Sequence, residues 1–349
     1  MKAKNYGEKR LIRDVIFPII KNDIDVGLGD DSSIIRISDF DIIASTDKIP
    51  EDLMALRLGL MTPFEHGRYL SEVNISDIAA MGGVPKALLL NLTMPDDFSI
   101  EYLESFLKGV KSSCKKWDVI IAGGDTKWGS TVCFSATCIG VLDKGKAIRR
   151  NGAKIGDYLF VSGIFGLFST ALLYFLAAKP SGFKLKYKEE IFLKNKLVLP
   201  EAKVDVGIDL NKSMCCSSCM DITDGFSQSL YELSDSSNVS FEIKECLFNY
   251  HELTYKLADY FKCTPNDIAF GVGLDLELLF TIKPEGINKI SKHHILLGQA
   301  IEKESNMLLM RDGSSVVIEP KGWEHFTGKT PVELVKLNSL QRNQTYEKL

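Results

Sequence analysis

Seven aspartates stand near glycine, serine, threonine or asparagine at the edges of apolar segments. They are Asp30, Asp31, Asp47, Asp77, Asp125, Asp221 and Asp224. Carboxylates that share a site repel one another unless cations neutralise them. Mg²⁺ prefers oxygen ligands and is usually shared between a few carboxylates and substrate phosphates. The pattern therefore indicates Mg²⁺-dependent phosphoryl transfer, with Arg150 available as a bidentate phosphate contact.

Asp77 has the most apolar surroundings of the seven. Its neighbours include Val73, Ile75, Ile78 and Met81, and the apolar run ends in two glycines at 82 and 83. This arrangement predicts a buried helix that glycine terminates. A carboxylate in such a helix is costly unless a partner or a metal satisfies it. For Asp77 alone, a backbone N–H or a basic side chain would be a sufficient partner.

Four other kinds of site are less well supported by the sequence. Glycoside hydrolysis needs two carboxylates rather than seven, and none of the five histidines stands in a nucleophile motif. Residues 140–147 almost spell a phosphate-binding loop, but Ala147 occupies the Mg²⁺-binding hydroxyl position. Cys216 and Cys219 form a C-x-x-C pair without a second pair at finger-like spacing, which favours packing thiols over zinc and leaves a metal open.

The elements that position these residues follow from apolar periodicity. Helices are predicted over residues 8–20, 65–80, 100–116, 167–178 and 226–233. Strands are predicted over 34–35, 41–47, 87–92, 119–122, 131–141, 158–162, 240–243, 277–281, 306–309 and 315–318. We expect Ser45, Thr46 and Asp47 to end a strand, residues 119–122 to be buried, and the charged segment 184–196 to be solvated. The alternation indicates an α/β or α+β architecture.

Composition limits the class of protein. The 349 residues favour two domains, and the 42 basic and 46 acidic residues give a net charge of −4. That balance argues against a broad surface for nucleic acid. Apolar runs fall short of the roughly 20 residues that span a membrane, and residues 1–6 lack the apolar core of a signal peptide. With eight cysteines, these features predict a cytoplasmic protein with reduced thiols and no membrane partner.

The order of these motifs resembles the thiamine-monophosphate kinase family, within the aminoimidazole ribonucleotide synthetase-like superfamily. The resemblance is carried by segments 29–31, 45–47, 74–82, 123–126, 150–157, 221–225 and 321–326. It implies a fold of α/β plus α+β type, with an N-terminal ATP- and Mg²⁺-binding domain over 1–149 and a C-terminal domain over 150–349. It also implies a homodimer that uses ATP to phosphorylate thiamine monophosphate, giving thiamine diphosphate.

The resemblance also implies roles for individual residues. The expected Mg²⁺ ligands are Asp30, Ser45, Thr46, Asp47, Asp77, Asp125, Asp221 and Asp224. The expected ATP contacts are Gly124, Asp125, Arg150 and Thr223, the last of which replaces the family's usual serine but keeps the hydroxyl. Asp30, Asp77 and Asp125 are expected to carry the catalysis.

The substrate positions depart from the family pattern. Met54 stands near the place of a substrate-binding histidine, and Leu274 and Leu276 replace a substrate-binding glutamate and a tyrosine. Trp323 is expected to lie against the ring of the substrate. Two alternatives therefore remain: a paralogue that phosphorylates or activates another small molecule, and a nucleotide-binding protein without catalysis.

Overall fold

The computed structural model describes residues 8–20, 26–49 and 53–322. A helical segment comes first, as the periodicity of residues 8–20 predicted. It consists of α1 (Glu8–Leu11), a π-helical stretch (Ile12–Ile16) and α2 (Phe17–Ile20). Within the described residues, no helix combines the length and apolar character needed to cross a bilayer.

The first half of the chain builds a mixed five-stranded sheet with helices against it. Its strands are β1 (Ser33–Ile37), β2 (Phe40–Ile49), β3 (Val84–Met94), β4 (Ile120–Trp128) and β5 (Cys133–Asp143). Its helices are α3 (Met54–Arg57), α4 (Pro63–Ala80) and α5 (Ile100–Lys116). The strand order is β1-β2-β5-β3-β4, and only the β3–β4 pair is parallel. Helix α4 packs on β2 and β5, so its buried face meets the centre of the sheet.

The second half builds a larger sheet of seven strands. These are β6 (Tyr158–Val161), β7 (Cys216–Asp221), β8 (Ser240–Lys244), β9 (Leu278–Ile282), β10 (Ile295–Ile301), β11 (Met307–Leu309) and β12 (Ser315–Val317). The helices are α6 (Leu167–Leu173), α7 (Tyr187–Val198), α8 (Val204–Ser213), α9 (Phe226–Ser237), α10 (Glu252–Phe261) and α11 (Pro265–Ala269). The strand order is β12-β11-β8-β10-β6-β9-β7, which places β7 at one edge.

The two halves meet along helix α4. A Cβ atom on Gly207 of α8 would lie 2.0 Å from the Ala79 carbonyl oxygen, so only glycine allows this close approach. Glu72 of α4, which is fully buried, accepts hydrogen bonds from Trp117 Nε1 at 3.0 Å and from the Ala202 backbone at 2.9 Å. One hydrophobic cluster contains side chains from both halves. This packing brings the end of α4 against β7.

The predicted domain boundary at 149/150 falls in the link between the sheets, after β5 and before β6. Because the two halves share a hydrophobic cluster, contacts do not divide the chain cleanly at that point. The boundary remains a prediction.

Three expectations about local structure were wrong. Ser45, Thr46 and Asp47 lie inside β2, which continues to Ile49 through its pairing with β5. Strand β4 is exposed along its whole length, because it forms an edge of the sheet and, among the described strands, pairs only with β3. The segment predicted to be solvated forms α7, which buries Leu193, Leu197 and Val198 on one face. The sequence reading also missed β7, β10, α8, α10 and α11.

Candidate active site

Three buried carboxylates come together where the two halves meet. One oxygen each of Asp31, Asp77 and Asp221 lies within 4.8 Å of the others. Asp31 belongs to the turn before β1, Asp77 to the last turns of α4, and Asp221 to the end of β7. No other group of at least three possible metal-ligating carboxylate, imidazole or thiol side chains occurs in the described parts of the chain. We refer to these three residues as the acid cluster.

Helix α4 positions Asp77 through well-defined ends. Thr62 caps the N-terminus in a capping box with Glu65, and Pro63 occupies the first turn. The helix ends at Ala80, and Gly82 then adopts a φ of +74°. This confirms the prediction of a buried helix that glycine terminates.

Hydroxyl and amide groups surround the acid cluster. Ser45 Oγ donates to Asp77 Oδ2 over 2.5 Å, and Ser76 Oγ donates to Asp221 Oδ2. Asn74 Oδ1 accepts the backbone N–H of Asp47 at 3.0 Å, which ties β2 to α4. The expected ligands Ser45 and Asp47 therefore lie beside Asp77.

Thr46 has a different environment from its two neighbours on β2. Its hydroxyl donates to the Ala136 carbonyl at 2.9 Å and accepts from Thr137 at 3.0 Å. Both contacts are to the neighbouring strand β5, and the Thr46 hydroxyl bonds within the sheet instead of to Asp77.

Asp30 and Asp31 are adjacent in sequence, but their side chains have different partners. Asp31 Oδ1 accepts from Arg150 Nη2 at 2.6 Å and from Arg150 Nε at 3.1 Å, while Asp31 Oδ2 is buried without a hydrogen-bond partner. Asp30 instead accepts the backbone N–H of Arg150 at 2.9 Å, and its other oxygen lies 3.8 Å from Arg149 Nε. Asp31 therefore belongs to the acid cluster. The resemblance had implied Asp30, and not Asp31, as a Mg²⁺ ligand.

Burial and mutual repulsion dominate the electrostatics of the acid cluster. Burial, followed by the charges of Asp47, Asp221 and Asp31, raises the pKa of Asp77 well above its usual value. Burial and then Asp31 raise the pKa of Asp221 to about 8. Burial also raises the pKa of Asp31, although Arg150 opposes the effect. The three carboxylates face one cationic side chain, so their negative charge is not fully neutralised. A set of donors made only of oxygen atoms fits a divalent cation.

The segment after β7 places Thr223 and Asp224 before α9. Gly225, with a φ of +105°, is the N-cap of α9, so Asp224 does not serve as its cap. Burial, and next the charge of Glu232, raises the pKa of Asp224 to about 7. Glu232 also accepts from Arg150 Nη1 at 3.0 Å. Asp224 and Asp31 therefore both lie near the Arg150 side chain. Thr223, which precedes Asp224 in sequence, is half-buried.

Gly124 and Asp125 lie apart from the acid cluster, on the exposed strand β4. Gly124 must be glycine, because a Cβ atom there would lie 1.8 Å from the Leu90 carbonyl oxygen on β3. Asp125 pairs with Lys127 at 3.1 Å, and this lysine holds the pKa of the Asp125 carboxyl below its usual value. The structure of the single chain does not bring Asp125 together with the three clustered carboxylates.

Comparison with known proteins identifies the family of this chain. Residues 29–142 match the family model for the N-terminal domain of AIR synthase related protein. The thiamine-monophosphate kinase of Pyrococcus horikoshii is 31% identical over 310 residues, which cover 88% of this chain and 93% of that protein. That of Aquifex aeolicus is 31% identical over 328 residues, 93% of this chain and 100% of that protein. The chain belongs to the thiamine-monophosphate kinase family.

A solved structure gives the same result at the level of the fold. The structure of AaThiL complexed with AMPPCP and TMP superposes with a TM-score of 0.80 at 28% identity, covering 93% of this chain and 99% of that one. The two sheets and their helices are therefore those of the aminoimidazole ribonucleotide synthetase-like fold, as the motifs predicted.

Two of the positions at which the sequence predicted altered substrate contacts pack against apolar side chains. Met54 begins α3, and Met54 and Leu274 are half-buried against the same hydrophobic cluster. Leu276 is fully buried with a φ of +51°, an unusual conformation for a bulky residue. Trp323 lies outside the described residues.

The remaining motifs have structural explanations. Residues 140–147 form the end of β5 and the turn after it, and they open no helix, which agrees with the rejection of a phosphate-binding loop. All eight cysteines are free thiols, and Cys216 and Cys219 lie on β7. Neither belongs to a group of possible metal ligands within the described chain.

Proposed function

We propose that this protein transfers the γ-phosphoryl group of ATP to thiamine monophosphate, giving thiamine diphosphate and ADP. The observation that carries the proposal is the acid cluster, in which Asp31, Asp77 and Asp221 lie within 4.8 Å of one another at the junction of the halves. Family membership supplies the reaction, and AaThiL complexed with AMPPCP and TMP is the similar structure that fits it.

Mg²⁺ is the proposed metal. Asp31, Asp77 and Asp221 would hold it, because their donor atoms are all oxygens and Asp31 Oδ2 has no hydrogen-bond partner. Asp47 and Ser45 lie beside Asp77 and would extend the ligand set, whereas Asp224 is a proposed ligand on the resemblance alone. Bound Mg²⁺ would neutralise charge on the phosphates during transfer. Asp30, Thr46 and Asp125 remain proposed ligands that rest on the resemblance.

Arg150 orients the acid cluster and remains available to a phosphate. Its Nε and Nη2 groups hold Asp31 Oδ1, which leaves the other oxygen of Asp31 for the cation. Its Nη1 group contacts Glu232, so three of its five N–H donors are used. The remaining donors support the proposed contact with ATP, for which Gly124, Asp125 and Thr223 are the other proposed residues.

We also propose a homodimer. Within the part of the chain that the structure describes, strand β4 has no partner on its outer edge, and Ile120 is 65% exposed and Trp128 73% exposed. Exposed apolar edge strands are pairing sites in other proteins. Light scattering at micromolar concentration should give twice the chain mass of 38.9 kDa, and a monomer would remove this proposal. The proposed compartment is the cytoplasm, which the eight free thiols support.

One experiment tests the reaction. The full chain is incubated with Mg²⁺, ATP and thiamine monophosphate, and the products are identified by mass, with Asp77→Asn as the inactive control. Thiamine diphosphate and ADP are the expected products. ATP consumption that gives no thiamine diphosphate would favour a paralogue with another acceptor, and ATP binding without turnover would favour a non-catalytic nucleotide-binding protein.

A further inference from the structure

A second site of interest is a cavity of about 280 Å³ that Arg149 lines. Its wall comes from the link between β5 and β6, the end of α8, the start of β7 and the residue after β9. Asp31, Asp77 and Asp221 do not line it. Arg149 lines the cavity, whereas the Arg150 side chain contacts Asp31 and Glu232. The cavity is therefore distinct from the acid cluster.

The charge of the cavity wall has one sign. Among the described residues, Lys146, Arg149 and Lys283 line it and no carboxylate side chain does, although Arg149 Nε also lies 3.8 Å from Asp30 Oδ2 outside the wall. Lys146 Nζ lies 3.7 Å from Met214 Sδ, which carries no charge. Among the residues that the structure describes, neither Lys146 nor Lys283 has a recorded ion pair with a carboxylate. Like charges that converge on one cavity favour an anionic ligand.

Two of the uncharged polar side chains in the wall already have hydrogen-bond partners. Ser217 Oγ donates to Asp157 Oδ2 over 2.6 Å, and Asn211 Nδ2 donates to the Lys146 carbonyl over 2.5 Å. Recognition would therefore depend on the cationic groups, which bind phosphate oxygens strongly.

The volume limits the size of the anion. Sites for drug-sized ligands begin at roughly 300 Å³, so 280 Å³ suits a diphosphate group better than a whole nucleotide. We propose that this cavity binds a diphosphate-type anion, either inorganic diphosphate or the diphosphate end of a small ester. Lys146, Arg149 and Lys283 would form its charged contacts.

Isothermal titration of the full chain with inorganic diphosphate, in EDTA, tests the proposal. EDTA removes divalent cations that would bridge diphosphate to the acid cluster, so the result does not depend on the proposed kinase reaction. Lys146→Gln with Lys283→Gln should weaken binding by about tenfold or more, because two charged contacts are lost. The same double variant should keep wild-type turnover of Mg-ATP, since neither lysine belongs to the acid cluster.

Three matched variants locate the site. Lys146→Arg with Lys283→Arg keeps both charges and should retain binding, which separates loss of charge from loss of fold. Lys144→Gln changes an exposed lysine outside the cavity wall and should have no effect. Lys212→Gln with Lys289→Gln changes a neighbouring cavity of about 500 Å³ and should also retain binding.

The source of the anion is tested with methyl diphosphate in the same titration. Binding of both anions that depends on Lys146 and Lys283 would support recognition of the diphosphate end of an ester, and binding of inorganic diphosphate alone would support the free anion. Absence of wild-type binding at millimolar diphosphate would overturn the proposal. Binding that the Lys146→Gln and Lys283→Gln double variant retains would also overturn the proposal. Binding that is lost only in the Lys212→Gln and Lys289→Gln variant would overturn it as well.

Discussion

Two of the regions that hold buried or half-buried carboxylates differ in how they satisfy the charge. In the acid cluster, Asp31, Asp77 and Asp221 lie against one another, and Asp31 Oδ2 is buried without a partner. In the segment before β9, Asp275 accepts the backbone N–H groups of Gly166 at 2.6 Å and Phe168 at 2.9 Å. Glu277 there accepts from Ser162 Oγ and pairs with Lys203 at 2.9 Å.

The difference separates carboxylates whose charge has protein partners from carboxylates whose charge is left unsatisfied. Burial raises the pKa of both Asp221, to about 8, and Asp275, to about 6. For Asp275 the N–H groups at the start of α6 oppose that rise, whereas for Asp221 the nearby charge of Asp31 adds to it. Burial alone is therefore a weak sign of function, and unsatisfied negative charge is the stronger one. The resemblance implied a substrate role for the segment around Leu274, and in this protein the carboxylates of that segment have structural partners.

The largest effect should come from Asp77→Asn. Removing one charge from the acid cluster should lower Mg-ATP turnover by about a thousandfold, because a metal ion contributes several kcal/mol to the transition state. The variant should stay folded, since the buried charge that it removes is already unfavourable without metal. Steady-state turnover and circular dichroism measure the two outcomes.

Asp125→Asn sharpens the same test. The resemblance implies an equal loss of turnover, although Asp125 lies on the exposed strand β4. Asp259→Asn, which changes an exposed carboxylate on α10, is the control. If Asp77→Asn and Asp125→Asn both turn over Mg-ATP at the wild-type rate, the metal assignment is wrong.

The next effect concerns the acceptor. Met54 and Leu274 replace polar family residues, so thiamine monophosphate should be used weakly. Restoring the family residues with Met54→His and Leu274→Glu should raise kcat/KM for thiamine monophosphate by about tenfold, since unpaired buried polar groups cost roughly 1–3 kcal/mol. Met54→Leu with Leu274→Met is the apolar control. Tight wild-type binding that the double change leaves unimproved would mean that other residues make these contacts.

The structural role of Asp275 predicts a change in stability instead of chemistry. Asp275→Ala leaves two backbone N–H groups at the start of α6 unpaired and should lower the free energy of unfolding by about 2 kcal/mol. Urea denaturation measures this, with Asp259→Ala as the exposed control. Unchanged stability together with lost turnover would place Asp275 in the active site and remove the contrast between the two regions.

The smallest effect is a dependence of stability on pH. In the folded state, the raised pKa values of Asp221 and Asp77 keep protons on the acid cluster. The unfolded chain, in which the aspartate pKa is near 3.8, has already released those protons. Since the folded state then holds more protons, the metal-free free energy of unfolding should fall by about 1 kcal/mol or more between pH 6.8 and 8.5. His66, whose pKa burial lowers to about 4, acts below this range.

Mg²⁺ and Asp221→Asn provide the controls for that measurement. Mg²⁺ should restore stability at pH 8.5, because cations replace the protons, and Asp221→Asn should reduce the fall with pH. Urea denaturation in EDTA and in Mg²⁺ gives both values. A free energy of unfolding that stays constant across this range in EDTA would show that the clustered carboxylates are not protonated in the fold.

The sequence by itself determined the local features that depend on short-range physics. Apolar periodicity predicted α5 at its observed bounds, and the glycines after Ala80 predicted where α4 ends. The acidic motifs and their order predicted both the family and the fold, because each motif is a contiguous segment. Ala147 was sufficient to reject a phosphate-binding loop.

Only the tertiary structure decided which residues meet. Asp30 and Asp31 are adjacent in one turn, and the choice between them depends on Arg150, which is more than a hundred residues away in sequence. Strand β4 has the composition of a buried strand, but its position at the sheet edge exposes it. Strand β7 contains few strongly apolar residues, and its pairing with β9 makes it a strand that carries Asp221. Pairing and packing between distant segments decide these features, because the local sequence of one segment does not specify which distant segment it will contact.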